Sequence, residues 1–262
     1  KGKEFKSNTL TLNVAKSSGK TDAGSSSQSM SDEELKENVF ILAVADKKNV
    51  FQGEQVSVTY KLYTKLNISS PQISKLPRYK GFWAEELETS SNIRFEVEMY
   101  KGVRYNSAVL KRVALFPTKT GELTVTPFEL EIPVLVKKKQ RSNDPFDSFF
   151  NDSFFGRTET IQFKATSNTV IINSSELPQK DKPESFAGAV GQFDFKTELD
   201  KDNVETDEAV TLRLTVSGKG NIELIDMPDV LLPPGFEKYD PKTSKNVVNK
   251  GTVSGSKGSE YL

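Results

Sequence analysis

The stretch Asp46–Phe82 occurs twice in this chain, and that repetition constrains the fold more than any other feature. The first copy opens Asp46-Lys47-Lys48-Asn49-Val50 and closes Gly81-Phe82. The second opens Asp200-Lys201-Asp202-Asn203-Val204 and closes Gly235-Phe236. The offset is 154 at both ends (200 − 46 and 235 − 81), so no gap is needed. Glu54/Glu208, Val56/Val210, Lys65/Lys219, Asn67/Asn221 and Ile68/Ile222 also match, giving eleven identities over 37 positions. Such a match marks a tandem domain repeat.

The repeat also states the kind of domain. Val56, Val58, Tyr60 and Leu62 alternate with Ser57, Thr59 and Lys61, and Val210, Leu212, Leu214 and Val216 alternate with Thr211, Arg213 and Thr215. Period-two alternation of apolar and polar residues is a strand with one buried face, so each of these two sets is expected to be buried together. A polar turn precedes each strand, and a further alternating strand precedes the turn, Val39-Ile41-Ala43 and Phe193-Phe195-Thr197. Strand, turn, strand and a long connection to a Gly-Phe corner predict an all-β fold of tandem immunoglobulin-like β-sandwich domains.

Composition narrows the function. Lys+Arg and Asp+Glu are both 36, a net charge of zero, which argues against a dedicated nucleic-acid binder. Cysteine and histidine are absent. That removes disulfides, a Cys/His metal site, a thiolate nucleophile and an imidazole base. No apolar run reaches the roughly 18–20 residues of a spanning helix, and Lys1–Lys6 lacks signal-peptide character. Neither a cofactor site nor a catalytic constellation is read, and a hydrolase has no cleft of paired carboxylates to rest on.

In chain order, residues 1–16 read as the closing strand of a preceding β-domain, because Ser7-Asn8-Thr9-Leu10-Thr11-Leu12 resembles Ser167-Asn168-Thr169-Val170-Ile171-Ile172. Residues 17–37 read as a Ser/Gly-rich flexible linker, with one helical turn at Asp32–Lys36. Residues 38–175 are expected to form one complete sandwich. Its strands fall near 94–100, 109–116, 122–126, 128–136, 158–163 and 168–172, with turn glycines at Gly53 and Gly121. Residues 176–189 are a second linker. Residues 190–262 are read as a truncated second repeat, unstable by itself, and the whole as an internal fragment.

Residues 137–157 interrupt the first sandwich. Asp144 suits an N-cap, Pro145 a first helical position and Gly156 a stop. Phe146, Phe149, Phe150 and Phe154 share one helical face, followed by Phe155. A short Phe-rich helix is expected here. It must dock, and three partners remain open: its own sandwich, a partner protein, or a membrane.

A ligand-binding module for calcium or glycan is the alternative. Asp200, Asp202, Asn203, Glu205 and Asp207 cluster oxygens, and Trp83 could stack on a sugar. Against calcium, the first copy has Lys48, Phe51 and Gly53 at three of these positions. The sole tryptophan beside the Gly-Phe corner reads more naturally as a core plug.

The pattern Asp-Lys-x-x-Val-x-x-x-Glu-x-Val-x-Val, then Gly-Phe, then Pro117-Thr118-Lys119-Thr120-Gly121-Glu122-Leu123-Thr124-Val125 resembles the BatD family of aerotolerance, or oxygen tolerance, proteins. Asp144-Pro145-Phe146-Asp147-Ser148-Phe149-Phe150 resembles a segment common in that family. The resemblance implies a non-enzymatic interaction or scaffold module on the periplasmic face of the bacterial inner membrane, held there by an anchor outside this sequence. It implies envelope partners of the von Willebrand A type, an associated MoxR-type ATPase and no catalytic residues.

Overall fold

The structure, a computed structural model, describes residues 30–89, 92–137 and 158–262. The closing strand expected in residues 1–16, most of the first linker and the Phe-rich insertion, with Phe146, Phe149, Phe150, Phe154 and Phe155, lie outside the described residues.

The chain is all-β. A short helix α1 (Asp32–Asn38) opens it. Ser31 and Glu34 form a reciprocal capping box that satisfies its first turn, and Leu35 drops into the core. Among the described residues twelve strands then build the first sandwich: β1 (Val39–Ala45), β2 (Asn49–Phe51), β3 (Val56–Thr64), β4 (Asn67–Ile68), β5 (Gln72–Lys75), β6 (Phe82–Leu87), β7 (Glu96–Tyr100), β8 (Val103–Pro117), β9 (Gly121–Val125), β10 (Glu129–Lys137), β11 (Thr158–Thr166) and β12 (Val170–Ser175). One sheet has the order β1-β3-β8-β6, with β7 also on β8. Facing it are β11-β10-β4, with β5 on β10, and a small sheet β2-β12-β9.

Alternation fixes the core between the sheets. Val56, Val58, Tyr60 and Leu62 on β3 are fully buried, against Leu130, Ile132 and Val134 of β10 and Phe163 of β11. Tyr60 meets Phe128 edge to face, with centroids 5.4 Å apart. On β8, Val113 and Leu115 enter this core, whereas Ala114 and Phe116 face the other way and are equally buried.

The second repeat has one four-stranded sheet among the described residues, β13 (Gly191–Leu199), β14 (Leu212–Gly220), β15 (Lys242–Lys250) and β16 (Thr252–Tyr261), in the order β13-β14-β16-β15. Its order repeats β1-β3-β8-β7. Its first hairpin keeps the register: Val39 opposes Thr64, and Phe193 opposes Gly218, each 154 further on (193 − 39 and 218 − 64). Gly218 permits this hairpin, since a Cβ there would lie 2.1 Å from the Gln192 carbonyl oxygen.

Three expectations need correction. Leu214 and Val216 are buried, but Val210 and Leu212 are only half-buried, because no second sheet covers that end of the repeat among the described residues. The Gly81-Phe82 corner leads directly into β6, and the strand placed at 109–116 is the longer β8, Val103–Pro117. Trp83 is no core plug. It is 43% exposed and its Nε1 donates to Glu85 Oε1 at 2.9 Å, because Trp83 sits on the outer face of β6.

Candidate partner interface

The first surface of interest joins the two repeats. Leu87 of β6 with Ala114 and Phe116 of β8 form an apolar outer patch on the first sandwich. It is covered by Val216, Ile222, Ile225 and Val253 of the second repeat. Hydrogen bonds frame it. Glu88 N donates to the Asn249 carbonyl at 2.8 Å, Asn249 Nδ2 to Glu85 Oε2 at 3.3 Å, and Val253 N to Gln55 Oε1 at 3.0 Å. Gly53 fits tightly here at φ +81°, where a Cβ would stand 3.0 Å from Val190 Cγ2. The two repeats are therefore packed as one body, joined by an apolar core with a polar rim.

The second feature is a polar notch where β6 and β7 both leave β8. It is an open cavity of about 370 Å³ lined by Lys61, Glu88, Arg94, Glu96, Glu98 and Arg112 among others. Glu98 is its organised centre. It accepts from Ser107 Oγ at 2.7 Å, Lys61 Nζ at 3.0 Å and Tyr63 OH at 3.1 Å. The Ser107 hydroxyl foremost, with Lys61 and Tyr63, holds the Glu98 carboxyl below its ordinary range. Burial, then the carboxylate beside it, pushes Tyr63 up to about 12. A carboxylate held ionised is the opposite of a general acid, and a phenol held protonated is no base. Below the notch, Phe40 stacks on Tyr63 at 5.0 Å, with Tyr100 and Tyr105 packed around them and Lys65 Nζ 4.7 Å over the Tyr105 ring. This cluster braces the outer face.

The third feature is a stripe. Ile93, Phe95, Val97 and Met99 run along one side of β7 and its approach, and all are exposed, Val97 at 55% and Met99 at 63%. Among the described residues β7 pairs only with β8, so its other edge is free. A free edge beside an apolar stripe is what strand-adding partners use. The alternation of these four residues was visible in the sequence, where it marked a strand. What no periodicity reveals is that the facing sheet stops short of β7.

Of the oxygen cluster, Asp200 accepts from Thr211 N at 2.7 Å, and Asn203 Nδ2 turns to Asp202 Oδ1. Among the described residues no three acidic side chains converge as a metal site would require. No helix among them is long and apolar enough to cross a membrane.

Two like β-sandwich repeats, one seated on the outer face of the other, define a tandem β-sandwich protein. A family model described as "BatD DUF11 like domain" matches residues 43–146 and 197–262, and the chain belongs to the BatD family. The two matched stretches begin 154 residues apart (197 − 43), the offset of the repeat itself. Neither a curated protein nor a solved structure matches the chain.

Proposed function

We propose that this chain is a non-enzymatic interaction module of a BatD-type envelope protein. In this reading it stands at the periplasmic face of the inner membrane, binds von Willebrand A-type envelope proteins and serves aerotolerance or the envelope stress response. The observation that carries the reading is the free edge of β7 with its exposed apolar stripe Phe95, Val97 and Met99. It stands on a sandwich whose outer face packs against the second repeat at Phe116. The Phe-rich segment with Phe146, Phe149, Phe150, Phe154 and Phe155 is a second contact in this reading. The notch at Glu98 offers charge-paired groups and no activated nucleophile, which favours binding over chemistry.

The test is direct binding of the full chain to a purified von Willebrand A-type Bat protein. The double substitution Val97→Lys, Met99→Lys should abolish binding and leave the melting temperature nearly unchanged, as expected for exposed positions. An unbound wild type, or a double variant that binds equally well, would refute it.

A further inference from the structure

The open side of β7 differs from that of β15, which takes the same place in the strand order of the second repeat. β15 carries Lys242, Lys245 and Lys250, the charge by which sheet edges are commonly kept from pairing. β7 carries no lysine, and Phe95, Val97 and Met99 are exposed along it.

The turn that follows β7 fixes which backbone groups face outward. Lys101 (φ 49°) and Gly102 (φ 78°) form a two-residue turn into β8. Tyr100 and Val103, which close it, exchange both backbone hydrogen bonds, and in alternation so do Glu98 with Tyr105 and Glu96 with Ser107. Val97 and Met99 therefore turn their N–H and C=O groups to the open side. The side chains divide in the same way. Ile93, Phe95, Val97 and Met99 share one face, and Arg94, Glu96 and Glu98 share the other. Glu98 is engaged by Ser107, Lys61 and Tyr63. Arg94 and Glu96 are exposed, and among the described residues neither takes part in an ion pair.

This edge is complementary to itself in one register. A two-fold axis normal to the sheet brings β7 antiparallel to its own copy with like faces together. Centred on Phe95, the pair sets Arg94 opposite Glu96 of the second copy, and Glu96 opposite its Arg94. On the apolar face Phe95 meets Phe95 and Ile93 meets Val97, twice. Other centres lose this match. About Glu96 the pair sets Glu96 against itself, about Val97 it sets Glu96 against Glu98, and about Glu98 it sets Glu98 against itself. Like charges directly opposite one another destabilise a strand pair. A centre at Met99 forms no charge pair at all.

We propose that two copies of this chain pair through the open side of β7, antiparallel about Phe95, so that two first repeats share one continuous sheet. The pairing lengthens β7 by its approach, Ile93–Phe95. Val97 and Phe95 supply backbone bonds, and Arg94 and Glu96 fix the register. The contact is isologous, so it closes at two copies. It uses the edge on which the reading above rests, but it does not depend on which envelope protein binds there. A partner that adds a strand to β7 must first displace the second copy.

The experiment is sedimentation velocity of the full chain alone, without any von Willebrand A-type protein, so its outcome is separate from that of the binding test above. A short strand pair is a small contact, so the concentration series should reach about 100 μM. Wild type should pass from monomer to dimer and no further. Arg94→Glu and Glu96→Arg each set like charges opposite one another at both pairs, and each should weaken the dimer roughly tenfold. Mixing the two variants restores opposite charges at both pairs, and a heterodimer of wild-type strength should form. The double variant Arg94→Glu, Glu96→Arg should dimerise again by itself. Both positions are exposed, so the melting temperature of the diluted monomers should stay nearly unchanged. A wild type monomeric throughout overturns the proposal. So does a dimer that both single reversals leave intact, which would be seated elsewhere. Failure of the mixture to restore dimers overturns the register about Phe95, and the proposal with it.

Discussion

Asp46 and Asp200, 154 residues apart, make the same hydrogen bond. Asp46 Oδ1 accepts from Ser57 N at 2.8 Å, and Asp200 Oδ1 accepts from Thr211 N at 2.7 Å. The backbones reciprocate, Asp46 N donating to the Ser57 carbonyl and Asp200 N to the Thr211 carbonyl. Each aspartate closes the turn between the first two long strands of its repeat, which explains its retention without any ligand. Asp46→Ala should cost about 1 kcal/mol, the net worth of one such bond, in denaturant unfolding. Asp46→Asn keeps the acceptor and should cost less. Equal costs for the two would mean that the carboxylate acts by charge alone.

The two copies of this turn differ at one informative position. Gly53 has φ +81°, and its counterpart Asp207 holds φ +70° although it carries a side chain. A left-handed backbone disfavours any Cβ, so Asp207→Gly should relieve strain. The expected gain is up to about 1 kcal/mol, less what glycine adds to the freedom of the unfolded chain. The converse change, Gly53→Ala, should destabilise by roughly 1–2 kcal/mol and press on Val190. Thermal melting of both variants decides it, and a lower melting temperature for Asp207→Gly would show that the aspartate side chain supports the turn.

Phe116→Ala tests the joint. The ring is 1% exposed between the repeats. Its truncation should cost about 3–5 kcal/mol. The loss should fall on the second repeat, with amide exchange rising in β14 and β16 well before β3. Uniform loss of protection across both repeats would mean that Phe116 supports the first sandwich instead.

The Glu98 cluster gives two pH limbs of opposite sign. Glu98 is held below its ordinary range, so its contribution is present above about pH 4 and is lost as pH falls through the folded value. Tyr63 is pushed up to about 12, so its contribution is complete below about pH 10 and disappears as pH rises toward 12. Ser107→Ala removes the largest cause of the Glu98 shift and should shrink the acid limb. Glu98→Gln should lower the Tyr63 midpoint without returning it to 10, since burial is the larger cause. Ultraviolet titration of the tyrosinates reads this directly, and an unmoved midpoint would disconnect the two residues.

The sequence disclosed most of what alternation and repetition can carry. The burial of Val56, Val58, Tyr60 and Leu62, the β3 strand and the 154-residue register of the hairpins all follow from patterns within a few residues. Trp83 and the half-buried Val210 and Leu212 were misjudged for a different reason. Alternation tells which residues share a face, but not whether anything covers that face. The same gap hid the joint. Ala114 and Phe116 lie on the face of β8 opposite Val113 and Leu115, and both faces are apolar. Only the tertiary arrangement reveals that one serves the first repeat and the other the second. The β7 stripe is the inverse case, an apolar alternation left uncovered.

The buried outer patch at Phe116 also imposes a direction in time. Among the described residues, the main core of the first sandwich, around Tyr60, Ile132 and Phe163, contains no residue of the second repeat. The cluster around Val216, Ile222 and Val253 is incomplete without Leu87 and Phe116. The first sandwich can therefore be finished before the second begins, whereas the second needs a finished surface to condense on. A chain that emerges from its N-terminal end presents these parts in that order, so the second repeat is templated by the first.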